Sequence, residues 1–509
     1  MTFIIIKIIQ VVFLYAIFRK IYSLYIKRKD SKVKNEIIIG AIYFVILMIF
    51  LALTWPGAWS NDDITILKNA ETYNLTPWHH FFSGLFVTLC LQTIPIPAGV
   101  MIIQILIASL IVGYSFSNIS ELYGETKKQK IVIQVVLGLI ALFPPVVLYI
   151  LSGFRMGMYS YVELLLITKM LVLYKEKKEL PFRELLHISF LTIIVSCWRT
   201  EGIYYPFLIL ILYFILGKKV INRKTAIIAF FIIMIIDFSI GKINNLMIGN
   251  NDYSISGTME GLTAVVEASD DIKDKEELEA INKIVDVEFI KDNPDMLSED
   301  VYKTVGIGKE YTDEEYSEFL KGYIKLALKY SEVALESMWK MFWKAGSGLG
   351  ENGKQTTHNM VNNNWSFAQD LTVMGTNAWR EWRKVNSANK EPINVELRNN
   401  VIFFLNGSDA DNNLTIIHNI FWNFFIPFTL ILICLIYKLI KKDWFMVMLI
   451  LTVIARIPIV FVTAPAPYFM YYLSAYLCTY ILSAIVIFEI IINLKNKKKI
   501  RGLLCEKKY

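Results

Sequence analysis

The chain has 509 residues, is 55% hydrophobic and carries a formal net charge of +7 at pH 7. Apolar runs near the ~20 residues that cross a bilayer recur along it, which excludes a soluble globular protein. Residues 242–415 hold 29 Asp+Glu against 18 Lys+Arg and the rest holds 34 Lys+Arg against 16 Asp+Glu, so positive charge flanks the apolar runs, which argues against nucleic acid as a partner.

Taken in chain order, the apolar spans are expected at 2–18, 36–54, 98–117, 131–151, 158–174, 184–199, 203–216, 225–241, 416–437, 444–462 and 468–493. The first lacks a basic leader region and a small-residue cleavage site, so it reads as a retained span. Segments 19–35, 118–130, 175–183, 217–224, 438–443 and the tail from 494 hold 28 Lys and Arg. The short loops between them hold only Lys68, Arg155 and Arg199. This asymmetry predicts eleven crossings of the cell membrane, with the N-terminus outside and the C-terminus in the cytoplasm. The run Phe81 to Leu91 is too short to cross, and a crossing there would turn every later basic loop outward, so it reads as an interfacial helix.

The expected fold class is therefore an all-α polytopic membrane protein with a large extracytoplasmic loop domain. Three parts are predicted: a transmembrane module over 1–241 with an outward loop at 55–97, an acidic and mostly helical domain over 242–415, and a transmembrane module over 416–509. Within the middle part, Glu276 to Phe289 and Glu314 to Trp343 show helical periodicity, and 326–343 is amphipathic with an aromatic end suited to a bilayer surface. Residues 346–413 are rich in Asn, Gly and Thr and read as irregular.

Polar residues at the outward ends of the spans are the candidates for chemistry. Asp62 and Asp63 follow the second span in Ser60-Asn-Asp-Asp63. Carboxylates there can serve as a general base or hold a divalent cation, a metal the sequence allows but does not imply; their bland use is to cap a short helix, with Asp62 as the cap. His79 and His80 open the interfacial helix, where polar residues at headgroup level are as expected as ligands. Arg155, Arg199, Glu201 and Arg456 lie in or beside later spans. A guanidinium in hydrocarbon is costly and normally meets protein or a polar ligand, and its planar fork suits phosphate. The structural alternative pairs Arg199 with Glu201 and Arg456 with Asp237. No CxxC or Cys/His cluster occurs among the five cysteines, so neither a zinc site nor a disulfide framework is expected.

This arrangement resembles the membrane glycosyltransferases of the GT-C superfamily, and in particular bacterial members with PG-x-x-S-x-D in the first loop. Pro56-Gly-Ala-Trp-Ser-Asn-Asp62 carries that motif, and Pro77-Trp-His-His-Phe-Phe82 is similar to the start of the family's interfacial helix. Ser152-Gly-Phe-Arg155 and Trp198-Arg-Thr-Glu-Gly202 are similar to its later loop motifs. The resemblance covers about residues 36–240. In the final loop Pro467-Tyr468 stands where relatives have Arg-Tyr. It implies a GT-C-like bundle and transfer of a sugar from a polyprenyl-phosphate-linked donor to an extracytoplasmic acceptor. Asp62 and Asp63 would be catalytic, and Arg155, Arg199, Glu201, Arg456, His79 and His80 would bind the donor. Two alternatives are a polysaccharide polymerase or ligase acting on lipid-linked oligosaccharides, and a flippase for such lipids. Against the flippase, no duplicated half or paired broken span is evident.

Overall fold

The structure is a computed structural model that describes residues 2–73, 81–248, 253–294, 296–306, 311–347, 382–409, 413–464 and 466–506. Among these residues the chain is helical, without extended strands, and it is an all-α polytopic membrane protein. Seven helices are long and apolar enough to cross a membrane, and an eighth is added if a bent pair counts as one span.

The first half runs α1 (Thr2–Ile26), α2 (Ser31–Leu53), α3 (Asn61–Glu71), α4 (Phe81–Thr93) and α5 (Pro97–Tyr123), followed by α6 (Lys127–Ala141) and α7 (Pro144–Ile150). Then come α8 (Arg155–Glu176), α9 (Phe182–Trp198), α10 (Tyr205–Leu216) and α11 (Arg223–Ile248). Local chemistry sets several of these starts. Asp30 accepts from Lys32 N at 2.8 Å to begin α2, and Thr126 with Gln129 forms a capping box on α6. The span expected at 131–151 is broken: α6 and α7 meet at 65°, because Pro144 and Pro145 cannot continue the α6 hydrogen-bond ladder. α4 has 13 residues, about 20 Å of rise, short of the ~30 Å hydrocarbon core. α10, at 12 residues, is shorter still.

α2 and α5 pack with their backbones close. A Cβ on Gly113 would stand 2.5 Å from the Glu36 carbonyl oxygen, and one on Gly40 would stand 2.9 Å from that of Ser109. Small residues at a helix contact are what such an approach requires in a membrane.

The acidic segment contributes α12 (Tyr253–Ser256), α13 (Met259–Ala268), α14 (Lys275–Asn282), α15 (Val287–Asp292), α16 (Ser298–Val301), α17 (Asp313–Lys329) and α18 (Ser331–Ser347). Buried apolar residues between Ile255 and Ala334 form their own core. From Phe342 onward the buried residues join the core of the bundle. The helix expected over Glu314 to Trp343 breaks at Tyr330, and its aromatic end packs on protein instead of lying wholly on a bilayer surface. Phe342 is buried against Phe425, Phe461 and Tyr472, and Trp343 stacks on Phe425 at 4.7 Å.

The last part holds α19 (Val395–Asn406), α20 (Ile416–Phe421), α21 (Phe425–Ile440), α22 (Trp444–Ile454), α23 (Arg456–Thr463) and α24 (Leu473–Glu506). α19 lies in the stretch expected to be irregular. Arg398 on it donates to the carbonyls of Thr54 at 3.2 Å and Gly57 at 2.7 Å. Burial lowers its pKa to about 9. Glu71 accepts from the backbone of Asn386 and Ser387, so 382–409 is fastened to the loop after α2.

The six basic segments gather at one end of the bundle. Asn35 donates to Ser117 at 3.4 Å, Leu180 N to Val220 O at 2.8 Å, Tyr174 to Asp443 at 2.8 Å and Asn496 to Glu125 at 2.8 Å. The short loops with Arg155 and Arg199 lie at the opposite end.

Candidate functional site

The start of α8 is the hub of the site. Residues 151–154 lead into it and are held from two sides. Ala58 N donates to Leu151 O at 2.7 Å, and the Gln104 amide donates to Ser152 O at 2.9 Å. This fixes the 54–60 loop beside α8, and α3 starts from it. Ser60, not Asp62, is the N-cap: Asp63 N donates to Ser60 Oγ at 3.5 Å, while Asp63 Oδ2 accepts from Ser60 N at 3.3 Å. Asp63 is buried. A Cβ on Gly153 would stand 3.0 Å from Asp63 Cβ and 2.9 Å from the Trp59 ring, so glycine there permits the approach. Asp62 lies in the first turn of α3, and its side chain is outside the described residues, as are His79 and His80.

The arginines arrive from three different elements. Arg155 is the first residue of α8. Arg199 follows α9 in extended conformation and is buried. Its Nε donates to Glu201 Oε2 at 2.9 Å and its Nη2 to Glu201 Oε1, a two-pronged pair, while Nη1 meets Met156 Sδ at 2.9 Å. Its guanidinium lies 5.6 Å from the centre of the Tyr471 ring. The pair places Glu201 in a single turn, Thr200–Gly202, between α9 and α10. Burial raises the Glu201 pKa, but Arg199, helped by Arg456 and Arg155, outweighs it and holds the carboxyl well below its usual range. One carboxylate therefore sits in the field of all three arginines.

Arg456 stands where the last-but-one span is interrupted, between α22 and α23 at Ala455. It is buried. Nη1 donates to Ser474 Oγ and Nη2 to Tyr159 OH, and the guanidinium lies 4.4 Å from the centre of the Tyr159 ring. Its Nε has no hydrogen-bond partner among the described residues. Glu163, one turn after Tyr159, lies within the field of Arg456 and accepts a hydrogen bond from Tyr205 OH. The expected pairing of Arg456 with Asp237 is not formed. Asp237 accepts instead from Ser196 Oγ at 2.6 Å and Cys197 Sγ at 3.1 Å, because α11 packs on α9 and not on α23.

The structure thus brings Arg155, Arg199, Glu201 and Arg456 together, with Asp63 on the neighbouring loop. Sequence reasoning missed Tyr159, Glu163, Tyr205 and Ser474. The available signal was polar side chains at i and i+4 in an otherwise apolar α8. Tyr468, which stands near the position of the family's final-loop arginine, donates to Glu299 of α16 at 2.6 Å and so ties the acidic segment to this end. Among the described residues no group of three or more His, Cys, Asp and Glu side chains could hold a metal ion. The cluster sets guanidiniums and hydroxyls around the Glu201 carboxylate, beside a carboxylate-bearing helix start.

Comparison with protein-family models, with curated proteins and with solved structures finds no match to this chain.

Proposed function

We propose that the chain is a membrane glycosyltransferase of GT-C type, moving a sugar from a polyprenyl-phosphate-linked donor to an acceptor in the cell envelope. The observation that carries this reading is the convergence of three arginines on the start of α8, next to the Asp62–Asp63 helix start. This end is opposite the basic loops, and the lysine and arginine bias supports reading it as the extracytoplasmic side. In the reaction the bond between the anomeric carbon and the phosphate oxygen breaks. The acceptor oxygen bonds to that carbon, and its proton passes to a carboxylate. Arg456 faces the phosphate with unspent hydrogen-bonding capacity and stabilises the charge that grows on it. Because Asp63 is occupied in the capping box, Asp62 is the base.

The test is Asp62→Asn and Asp63→Asn, made singly and scored by sugar transfer per folded molecule. Ser60 remains the cap in both variants, and the side-chain oxygen of Asp63→Asn can still accept from Ser60 N, so both are expected to fold. Asp62→Asn is expected to lose transfer by about 10²–10⁴-fold, the usual range for a general base. Near-normal transfer by Asp62→Asn would refute the assignment of Asp62 as the base.

A further inference from the structure

A second site lies at the basic end, away from the arginine cluster. Residues 27–30 join α1 to α2, yet the two helices do not pack along each other. α1 leans on α4, where Phe13 meets Phe86 edge-on at 6.3 Å, while α2 follows α5. The space between is a groove of about 940 Å³. This is within the ~300–1,000 Å³ of small-molecule sites. Its walls are apolar: Leu24 and Tyr25 from α1, Ala41 and Phe44 from α2, Leu106 from α5. The close packing of Gly40 on α5 gives it depth. Ser109 is a polar point in the wall, 3% exposed, and its hydroxyl has no hydrogen-bond partner among the described residues.

The mouth is cationic. Arg28, Lys29 and Lys34 line it. Arg28 is held there by a bond from Nη1 to Tyr25 O at 2.7 Å and by the Tyr25 ring, 3.8 Å from its guanidinium carbon. The one carboxylate in the lining, Glu36, is already paired with Lys20. An apolar slot with an uncompensated cationic mouth, in a membrane protein, complements a molecule with an apolar tail and an anionic head. We infer that this groove binds one anionic glycerophospholipid, its acyl chain between α1 and α2 and its phosphate against Arg28, Lys29 and Lys34. The inference does not depend on the transferase reading.

The test uses the purified full-length chain in detergent, titrated with phosphatidylglycerol or phosphatidylcholine, with bound lipid counted by native mass spectrometry. One phosphatidylglycerol per chain is expected to bind in preference to phosphatidylcholine. Arg28→Ala, Lys29→Ala and Lys34→Ala should each weaken phosphatidylglycerol binding about fivefold, from ~1 kcal/mol per cation near a lipid surface, and leave phosphatidylcholine binding unchanged. Ala41→Trp, at an exposed position of the wall, should fill the slot and abolish the preference. Equal binding of the two lipids by the unaltered chain, or undiminished phosphatidylglycerol binding in all three mouth variants, would overturn the inference. So would a dimer that Ala41→Trp dissociates, since a second copy would then occupy the groove.

Discussion

Lys438 and Arg456 are equally buried, 1% and 2% exposed, but their surroundings differ in kind. Lys438, at the basic end, donates to Asp443 at 2.9 Å and Glu489 at 2.8 Å. Tyr174 completes Asp443, and Lys175 stands 3.6 Å from Glu489. Two cations face two carboxylates, so the cluster is neutral, although Glu489 Oε2 has no hydrogen-bond partner among the described residues. Arg456 instead spends its hydrogen bonds on the neutral hydroxyls of Tyr159 and Ser474 and keeps Nε unspent among the described residues. A buried charge normally needs a partner. Both charges have carboxylates nearby, but Lys438 bonds Asp443 and Glu489 directly, whereas Arg456 meets Glu163 only through space and gives its direct bonds to hydroxyls.

This contrast can be broken by exchanging the two kinds of loss. Arg456→Lys keeps a positive charge but removes the planar fork. On the transferase reading it should cost donor affinity and lower transfer by about 10²–10³-fold, the usual cost of losing a charge-stabilising donor, with protein abundance nearly intact. A drop in abundance with unchanged transfer per folded molecule would make Arg456 structural and erase the distinction. Lys438→Met should do the reverse. It leaves the partly buried Asp443 and Glu489 without their shared cation, a defect of ~1–3 kcal/mol in folding. Thermal unfolding should come earlier, while donor binding by the surviving folded protein stays normal. Replacing Asp443 and Glu489 by apolar residues together with Lys438 should recover much of the stability.

Much of this architecture was legible, and the reason is physical. All eleven apolar segments fall on helices, and seven of these, or eight if the bent pair counts as one span, are long and apolar enough to cross a membrane, where the backbone must satisfy itself within each segment. The basic loops do share one end, since charge bias constrains all of them at once. What failed was local. Pro144 broke a span that looked continuous, and Tyr330 broke a long amphipathic helix. Ser60 took the cap expected of Asp62, because a capping box needs its acid three residues later, at Asp63. For the site, the four charged members at 155, 199, 201 and 456 were recognisable because charge in apolar sequence is costly. Glu163 was missed although it too is a charge in an apolar span, and Tyr159, Tyr205 and Ser474 were not recognisable, since a tyrosine or serine in a span is ordinary until the partner across the bundle is known. The docking of Arg398 on Thr54 and Gly57 was equally invisible, as it joins residues more than 340 positions apart.

The core between Ile255 and Ala334 supplies a third buried charge, and it sharpens the same comparison with the smallest expected effect. Asp274 is 2% exposed and accepts from Lys329 Nζ, from Tyr330 OH at 2.6 Å and from Asp270 N at 3.1 Å. Burial raises its pKa, but these partners outweigh burial and hold it at about 2. Like Lys438, it is a charge bonded directly to opposite charge, so it should matter to folding and not to transfer. A carboxyl whose folded pKa lies below its unfolded value near ~3.9 stabilises fully above that value, and the contribution is lost as pH falls from about 4 through about 2. Helicity and protease resistance of this segment, followed in the full chain, should therefore weaken across that window. Asp274→Asn should be less stable at neutral pH and show a flatter acid profile. An unchanged acid profile in Asp274→Asn would mean that the Lys329 pair contributes nothing, and that a directly bonded ion pair in this chain is not by itself a source of stability.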